Sequence, residues 1–326
     1  MITTPLSEQD TTLLDRAVAL AQKGLFTTKP NPRVGCVIAR KNKIIGEGWH
    51  VRAGQDHAEI AALTAANHDV RGADVFVSLE PCSHHGKTGP CASALIDAGV
   101  ARVVISMLDP NPEVSGRGVE MLRQAGIEVL ISDNPDQARM INSGFCLRME
   151  KGRPLVRLKI AATLDGRTAA SDGSSQWITG DSARKDVHTL RAMSCALITG
   201  IGTIRADNPR LNARVDSDVE QPLRVVVEGH HVVPPDAAIF NEAGRVLLVG
   251  PRSLPSRKGV PSGAEYLSFD SNHGKVDLEQ LIKSLAGQGC NEVLVEAGPT
   301  LAGAFLSAGL VDEIWIYQSP DIIGEA

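Results

Sequence analysis

Four residues between positions 57 and 91 carry side chains that metal-dependent catalysis uses: His57, Glu59, Cys82 and Cys91. One imidazole and two thiolates fill three of the four positions around zinc, and an open fourth position is typical of catalytic rather than structural sites. Because two thiolates balance the charge of Zn²⁺, such a site can be buried. The spacing therefore predicts a zinc site whose ligands are His57, Cys82 and Cys91.

Glu59 lies two residues after His57, close to the expected metal but not needed as a ligand. A water bound to such a metal has its pKa lowered from about 15.7 toward about 7. Glu59 could take a proton from this water and pass it to a leaving amine. Zinc deaminases use a Glu that is not a ligand in the same way. We therefore predict that Glu59 is the catalytic acid and base of a hydrolytic deamination.

Two other interpretations of these residues stay open. His84 or His85 could supply a fourth ligand, in which case the zinc would be structural. The His-x-Glu pair could also occur without any metal, since it is common by chance. Otherwise we expect His50, His84 and His85 to contact substrate or to support the ligands. The combination of HAE, an intervening strand, and PC before a second cysteine favours the catalytic site.

The elements around the four residues place each of them near the end of a helix or strand. HAEIAALTAA predicts a helix that begins beside His57, and ADVFVSL predicts a strand that ends before Cys82. Pro90 favours a helix start at Cys91. A helix N-terminus stabilises a thiolate, because its free N–H groups and dipole favour negative charge. These helix starts therefore suit the expected ligands.

The N-terminal half alternates between strands and helices, which predicts an α/β layer with mostly parallel strands. VGCVIA and KIIGEGWH predict a strand pair around a polar turn, and PDQARMINSGFCLRME predicts one long helix ending near Glu150. KGRP follows as a domain boundary, and the alternation then restarts. We predict domains at 1–150 and 151–326. The chain stops soon after a predicted strand, at SPDIIGEA, which is consistent with a second domain truncated at its C-terminus.

Composition excludes several classes of function. A net charge of −5 and an aromatic content of 3% argue against a nucleic-acid partner. No stretch approaches the roughly 20 apolar residues of a membrane-spanning helix, and the N-terminus does not resemble a signal peptide. The remaining cysteines lie in apolar runs and are predicted to be core residues: Cys36, Cys146, Cys195 and Cys290. We predict a cytoplasmic protein that acts on a small molecule.

Two glycine-rich turns in the C-terminal half, ITGIGTIRADNP and VEAGPTLAGAF, each join a predicted strand to a helix. Gly200 and Gly202 in the first turn, and Gly298 in the second, would expose backbone N–H groups that can bind phosphate. The GxGxxG fingerprint of dinucleotide-binding folds is missing after the first strand. On their own, such turns are structural more often than functional.

Motifs in both halves resemble one family. HAE…EPCSHHGKTGPC is similar to the cytidine/deoxycytidylate deaminase superfamily, and the eight residues between its two cysteines are like those of the bifunctional riboflavin-biosynthesis deaminase–reductases. Four further segments carry the same resemblance: TTKPNPRVGCVI (27–38), KIAATLDGRTAASDGSSQWITG (159–180), GTIRADNPRLNAR (202–214) and EAGPTLAGAFL (296–306). The resemblance extends from residue 8 to residue 326.

The resemblance implies a fold and a pair of reactions. The N-terminal domain would be a cytidine-deaminase-like three-layer α/β domain that binds Zn²⁺, and the C-terminal domain would be dihydrofolate-reductase-like and use NADPH. The first would deaminate 2,5-diamino-6-ribosylamino-4(3H)-pyrimidinone 5′-phosphate, and the second would reduce the ribosyl group to a ribityl chain. Lys159 and Asp165 are polar candidates for the general acid of the reduction.

The resemblance also implies roles for individual residues. Asn31 would contact the pyrimidine, and guanidinium groups suit the ribose 5-phosphate because they bind phosphate bidentately. The implied substrate contacts of the second domain are Ser175, Arg191, Leu211, Arg214 and Glu296. The implied cofactor contacts are Ala161, Trp177, Thr203, Asp207, Gly298, Pro299, Thr300, Leu301, Ala302, Gly303 and Ala304.

Three departures from the family pattern affect these expectations. Gly89 replaces a proline before Cys91, Asn212 replaces a threonine, and VVVEG at 225–229 replaces a strand that usually ends in Asp-Ser. A nucleoside or tRNA deaminase with a C-terminal binding module remains an alternative, although the charge, the few aromatics and the cysteine spacing disfavour it. A zinc-stabilised binding scaffold is a second alternative. A homo-oligomer is compatible with the bifunctional enzyme and with both alternatives.

Overall fold

The computed structural model describes residues 6–83, 89–170, 178–229, 231–251, 260–269 and 275–324. The chain divides into two compact units, Met1–Lys151 and Gly152–Ala326. Four residues discussed above, His84, His85, Ser175 and Trp177, lie outside the described residues.

The described part of the first unit is built on a five-stranded sheet in the order β2-β1-β3-β4-β5. β1 pairs antiparallel with β2 and β3, whereas β3, β4 and β5 are parallel. Its strands are β1 (Gly35–Arg40), β2 (Lys43–Trp49), β3 (Asp74–Val77), β4 (Arg102–Ile105) and β5 (Glu128–Ile131). Its helices are α1 (Glu8–Ala21), α2 (Ala58–Ala65), α3 (Cys91–Ala98), α4 (Arg117–Gln124), α5 (Asp136–Ile141) and α6 (Ser143–Lys151). The predicted strand pair is confirmed by β1 and β2.

Apolar residues on both faces of β1 explain why helices cover this sheet on two sides. Cys36 and Ile38 pack in a core that includes residues of α2, α3 and α4. Val37 and Ala39 point to the other face and pack with residues of α1. A strand that is buried on both faces has a continuous run of apolar residues in its sequence, and GCVIA in β1 is such a run. The three-layer α/β architecture expected for this half is therefore confirmed.

The prediction of one long helix before the domain boundary is wrong, because α5 and α6 are separated at Asn142. The Asn142 side chain is buried and binds the backbone of Arg33 twice. Its Oδ1 accepts from Arg33 N at 2.8 Å, and its Nδ2 donates to Arg33 O at 2.9 Å. An Asn side chain that bonds to backbone competes with helix formation. The two hydrogen bonds of Asn142 thus connect the junction of α5 and α6 to the segment that carries Asn31.

The described part of the second unit is built on a seven-stranded parallel sheet in the order β10-β9-β8-β7-β11-β6-β12. Its strands are β6 (Leu155–Ala162), β7 (Ala196–Gly200), β8 (Leu223–Val227), β9 (Val246–Pro251), β10 (Ala264–Phe269), β11 (Glu292–Glu296) and β12 (Glu313–Gln318). Its helices are α7 (Asp181–Met193), α8 (Ile201–Asp207), α9 (Leu278–Gly287) and α10 (Pro299–Ser307).

This topology places the two glycine-rich turns side by side. β7 and β11 are neighbours in the centre of the sheet, and both are parallel. α8 follows β7 directly, and α10 begins two residues after β11. Ligands of open parallel sheets bind beside the carboxyl ends of the strands. The N-termini of α8 and α10 therefore lie where such a sheet holds a ligand.

Candidate active sites

His57, Cys82 and Cys91 converge in the first unit. Their ligand atoms all lie within 4.8 Å of one another, and this is the only such group of three or more found among the residues that the structure describes. His57 Nδ1 is 3.6 Å from Cys82 Sγ and 3.3 Å from Cys91 Sγ. Tetrahedral zinc, with Zn–S of about 2.3 Å and Zn–N of about 2.0 Å, would separate its ligand atoms by roughly 3.5–3.8 Å. The three side chains fit a zinc ion.

Two helix starts and one strand end position these ligands. His57 is the N-cap of α2, and Cys91 is the first residue of α3. Cys82 follows β3 by a short turn, and its Sγ accepts a hydrogen bond from Cys91 N at 3.2 Å. This N–H group is one of those that a helix N-terminus leaves free, so it stabilises the thiolate form of Cys82.

The electrostatics of this cluster favour one thiolate even without a metal. Hydrogen bonding from Cys91, together with His57, holds the pKa of the Cys82 thiol well below its usual range despite burial. The hydrogen bond to Cys82 and burial raise the pKa of Cys91. The hydrogen bond to Cys82 likewise raises the pKa of His57. A metal cation would favour thiolate at both cysteines and neutral imidazole at His57.

Glu59 lies in the first turn of α2 and is buried, with 3% of its surface exposed. Burial raises the pKa of its carboxyl to about 7, and the charge of Cys82 adds to this effect. A group with this pKa can accept and donate a proton near neutral pH. The position and the protonation of Glu59 therefore suit proton transfer beside the three ligands.

Asn31 and His50 lie next to the metal cluster. His50 is buried, and its ring centroid is 5.3 Å from that of His57. Its Nδ1 is 2.9 Å from Asp56 O, and its Nε2 is 3.0 Å from Asn31 Nδ2. Burial lowers the pKa of His50, which favours the neutral ring. A neutral His50 can donate through Nδ1 and accept the Asn31 amide through Nε2, so it orients that amide.

In the second unit, the two glycine-rich turns approach each other closely. A Cβ atom built on Gly298, the N-cap of α10, would lie 3.9 Å from Thr203 Oγ1 in α8. A Cβ atom on Gly200, the N-cap of α8, would lie 3.5 Å from Leu301 Cδ2. Two helix N-termini this close expose two sets of backbone N–H groups, which favour a phosphate group. The arrangement fits the phosphates of a dinucleotide.

A charged cluster lies beside these turns. Arg191 Nε and Nη2 donate to the two carboxylate oxygens of Glu296, at 2.6 and 2.8 Å. Burial raises the pKa of Glu296, but Arg191 outweighs it, so the carboxyl ends below its usual range. Burial lowers the pKa of Lys159, which also interacts with both charges. Arg191 and Glu296 were each predicted to contact substrate. Their ion pair could not be predicted, because the two residues are 105 positions apart in the sequence.

Arg214 and His188 extend the cluster. Arg214 N donates to His188 Nδ1 at 3.3 Å, and Arg214 Nη1 donates to Asn212 Oδ1 at 2.6 Å. Burial and the neighbouring charges of Arg191 and Arg214 lower the pKa of His188 to about 4. A neutral imidazole therefore separates two cations. His188 was missed in the sequence, where a single His on a polar helix gives no signal.

The other predicted residues of the second unit lie on β6, α8 and α10 and in the segments that follow β6 and α8. Ala161 lies near the end of β6 and is half-buried. Asp207 ends α8, and buried Leu211 has a φ of 51°. The segment from Pro299 to Ala304, with Thr300, Leu301, Ala302 and Gly303, forms the first two turns of α10. Asp165 accepts from Thr163 Oγ1 at 2.5 Å.

The cysteines outside the metal cluster pack in the two cores. Cys36, Cys146 and Cys290 are buried, and Cys195 is partly buried. The prediction of core cysteines is thus confirmed for the three buried ones. No helix in the part of the chain that the structure describes has the length and apolar character to cross a membrane.

Comparison with known proteins identifies two families along the chain. Residues 7–107 match the cytidine and deoxycytidylate deaminase zinc-binding region, and residues 154–326 match the RibD C-terminal domain. The riboflavin biosynthesis protein RibD of Escherichia coli is 46% identical over 97% of this chain and 89% of its own length. RibD of Haemophilus influenzae is 44% identical over 98% of this chain and 88% of its own length.

Two solved structures match nearly the whole chain. RibD of Acinetobacter baumannii superposes with a TM-score of 0.89 at 43% identity, covering 98% of this chain and 88% of that one. A diaminohydroxyphosphoribosylaminopyrimidine deaminase/5-amino-6-(5-phosphoribosylamino)uracil reductase from Thermotoga maritima gives a TM-score of 0.88 at 36% identity, covering 97% and 88%. The resemblance seen in the sequence is confirmed.

The fold and the sites define the class of protein: a zinc-binding unit of the deaminase type followed by a reductase-type α/β unit. The relatives described above match both units in one chain. The chain belongs to the RibD family of riboflavin biosynthesis proteins.

Proposed function

We propose that the chain carries out two consecutive steps of riboflavin synthesis on a pyrimidine ribose phosphate. Unit 1 deaminates 2,5-diamino-6-ribosylamino-4(3H)-pyrimidinone 5′-phosphate, and unit 2 reduces the ribosyl group of the product to a ribityl chain with NADPH. The observation that carries this proposal is the convergence of His57, Cys82 and Cys91 beside buried Glu59. The deaminase domain is assigned to 1–150 and the reductase domain to 151–326.

Zinc would be held by His57 Nδ1, Cys82 Sγ and Cys91 Sγ, and it supplies Lewis-acid activation of the hydrolytic water. Glu59 takes a proton as the water adds to the carbon that bears the exocyclic amine. It then gives a proton to the leaving nitrogen, so the C–N bond breaks, ammonia departs and a carbonyl remains. Buried Glu59, in the first turn of the helix that His57 caps, is placed for both transfers.

Asn31 is proposed to bind the pyrimidine edge. Its Nδ2 is held by His50, which fixes the plane of the amide. An amide in a fixed plane can distinguish the donor and acceptor pattern of a pyrimidine from that of other rings. In this proposal Asn31 orients the substrate and Glu59 moves the proton.

In unit 2, NADPH supplies the hydride. The backbone N–H groups at the start of α10, with Gly298, Thr203 and Asp207, are proposed to bind the cofactor, and Ala161 and Trp177 to contact it as well. Lys159 is one candidate proton donor for the ring-opening oxygen, since burial lowers its pKa. The protein otherwise positions C1 of the sugar against the nicotinamide.

The substrate contacts proposed for unit 2 are Ser175, Arg191, Leu211, Arg214 and Glu296. Arg214 suits the phosphate better than Arg191, because two nitrogens of Arg191 already donate to Glu296. We propose that Glu296 instead fixes Arg191 at one edge of the site, and that Arg214 meets the phosphate. This division refines the sequence-based expectation of two equivalent phosphate clamps.

The experiment that tests the function follows the two reactions separately. The purified zinc-loaded chain is mixed with the diaminopyrimidine phosphate and NADPH, and ammonia release and NADPH oxidation are recorded together. We expect ammonia first and NADPH consumption after it, both dependent on the substrate. Activity on cytidine or tRNA without NADPH consumption would instead support a deaminase with a C-terminal binding module, which the matches to RibD do not favour. We further propose a cytoplasmic location and neither nucleic-acid nor membrane partners, and a homo-oligomer is compatible with this function.

A further inference from the structure

A carboxylate that the deamination does not use lies two residues before Cys82. Glu80 is buried, with 3% of its surface exposed, and it follows β3 by a short turn. Burying a carboxylate costs several kcal/mol unless hydrogen bonds compensate it. The contacts of Glu80 therefore indicate what this carboxylate holds in place.

Four backbone N–H groups of one segment donate to Glu80. Its Oε2 accepts from Asp109 N at 3.2 Å and from Gly116 N at 2.9 Å. Its Oε1 accepts from Gly118 N at 2.9 Å and from Val119 N at 3.2 Å. Hydrogen bonds to a charged acceptor are about twice as strong as neutral ones. The carboxylate therefore binds this segment through both of its oxygens.

Glu80 caps helix α4 from a distant position in the chain. α4 begins at Arg117, and its N-cap is Gly116, which has a φ of 80° and no side chain that could accept a hydrogen bond. The first N–H groups of a helix need an acceptor, and negative charge there is stabilised by the helix dipole. The carboxylate of Glu80 takes the role that a Ser or Asp N-cap has elsewhere.

The turn that carries Cys82 packs directly on this helix start. A Cβ atom built on Gly118 would lie 2.0 Å from Pro81 O, a distance that only glycine allows. On the other side, Glu80 N donates to Met107 O at 3.0 Å. Glu80 and Pro81 are thus held between Met107, two residues after β4, and the start of α4. Cys82 is the next residue in the chain.

We propose that Glu80 is a positioning residue for Cys82. By tying the turn after β3 to the start of α4, it holds the Cys82 thiolate where His57 and Cys91 can share a metal with it. The inference rests on the proposed zinc site. Groups that orient metal ligands typically change metal affinity by about 10–100-fold when they are removed. Glu80 acts one step further out, through the backbone that leads to Cys82, so we expect an effect at the lower end of this range.

Glu80→Gln tests this role. Each Glu80 oxygen accepts two N–H groups, so either orientation of the amide places an NH₂ against two backbone donors. Glu120→Gln is the matched control, because Glu120 is an exposed residue of α4 and the change in charge is the same. For each protein, the zinc dissociation constant is measured by chelator competition, the visible spectrum is recorded with Co²⁺ in place of zinc, and the melting temperature is taken without metal.

We expect Glu80→Gln to weaken zinc binding by about 10-fold and to change the thiolate-to-Co²⁺ absorption, while Glu120→Gln matches the parent. A lower melting temperature with the parent's zinc affinity and Co²⁺ spectrum would show a purely structural role and overturn the proposal. If the parent protein binds no zinc, the proposed function itself is contradicted. That outcome differs from a failure of this inference alone, in which the parent binds zinc and Glu80→Gln binds it equally well.

Glu80→Asp decides the matter if Glu80→Gln does not fold. Aspartate keeps the charge and the four acceptor positions but draws the carboxylate back by one methylene group. We expect a zinc affinity lower than that of the parent, together with a measurable change in the Co²⁺ spectrum. An aspartate variant with the parent's affinity and spectrum would contradict the positioning role.

Discussion

The two candidate sites of this chain are built in different ways. In unit 1, side chains carry the chemistry, and the ligand atoms of His57, Cys82 and Cys91 lie within 4.8 Å of one another. In unit 2, the turns at Gly200 and Gly298 offer backbone N–H groups, while Arg191 and Glu296 neutralise each other at 2.6 Å. The first site offers donor atoms for a metal cation, whereas the second combines an ion pair with two further cations, Lys159 and Arg214, which favour an anionic ligand.

This difference shows what kind of ligand each site can take. Two thiolates and an imidazole favour a cation that stays bound, because they are the donor groups that zinc prefers in proteins. Exposed helix starts and the exposed Arg214 favour a ligand that comes and goes, because water can satisfy the backbone N–H groups and the guanidinium when the ligand leaves. The same contrast predicts that the two activities respond differently to the following changes.

Removal of the metal should separate the units most strongly. We expect dialysis against a chelator to abolish ammonia release, because the three ligands have no other function in the site. NADPH oxidation on substrate that is already deaminated should keep its rate. Added Zn²⁺ should restore ammonia release. Loss of both activities after chelation would contradict the separation, since unit 2 would then need the metal too.

Glu59→Gln should abolish most of the deamination but leave the metal in place. The amide cannot move a proton, and general acid–base groups typically contribute about 10²–10⁴-fold to the rate. The zinc content, measured by atomic absorption, and the reductase rate should match the parent. Glu120→Gln serves as the control in the same unit. A variant with full turnover and full zinc would exclude Glu59 as the proton carrier.

Arg214→Gln should weaken the second site alone. The lost guanidinium contact to phosphate corresponds to about 1.5–3 kcal/mol, so KM for the reductase substrate should rise about 10–100-fold with little change in the deaminase. Arg245→Gln is the control, because Arg245 is exposed and pairs with Glu265 on the far strands of the same sheet. An unchanged KM would remove Arg214 from the phosphate site.

The smallest effect concerns acid stability. The pKa of Glu296 is lowered in the folded chain, so its ionised form stabilises the fold at pH values above its unfolded pKa of about 4.3. This contribution is lost as the pH falls through the folded pKa. Melting temperatures of the parent and Glu296→Gln should therefore differ at pH 6 and converge toward pH 3. A constant difference would show that the pair does not titrate in this way.

The sequence allowed the metal site to be predicted better than the rest of the fold. His57, Cys82 and Cys91 could be found because few residue types bind zinc, and their positions at element ends follow from local patterns. The role of Glu80 could not be found, since its four partners are backbone N–H groups that no residue type reveals. The same holds for Asn142, whose contacts to the Arg33 backbone divide the predicted helix.

Elements at the edge of the second sheet were also harder to predict. β10, at Ala264–Phe269, has no clear strand signal in the sequence, because its residues are partly exposed and alternate only weakly between apolar and polar. The Arg191–Glu296 pair depends on α7 and β11 meeting in space, which residue patterns do not encode. Packing between distant segments therefore set the limit of the sequence-based predictions, whereas the local chemistry was readable.

The most direct test of the account is a zinc-edge anomalous diffraction experiment on crystals of the purified chain. We expect one anomalous peak per chain in unit 1, about 2.0 Å from His57 Nδ1 and about 2.3 Å from the two cysteine sulfurs. The fourth position should hold a water within reach of Glu59. A fourth protein ligand, or no peak between these three side chains, would contradict the account.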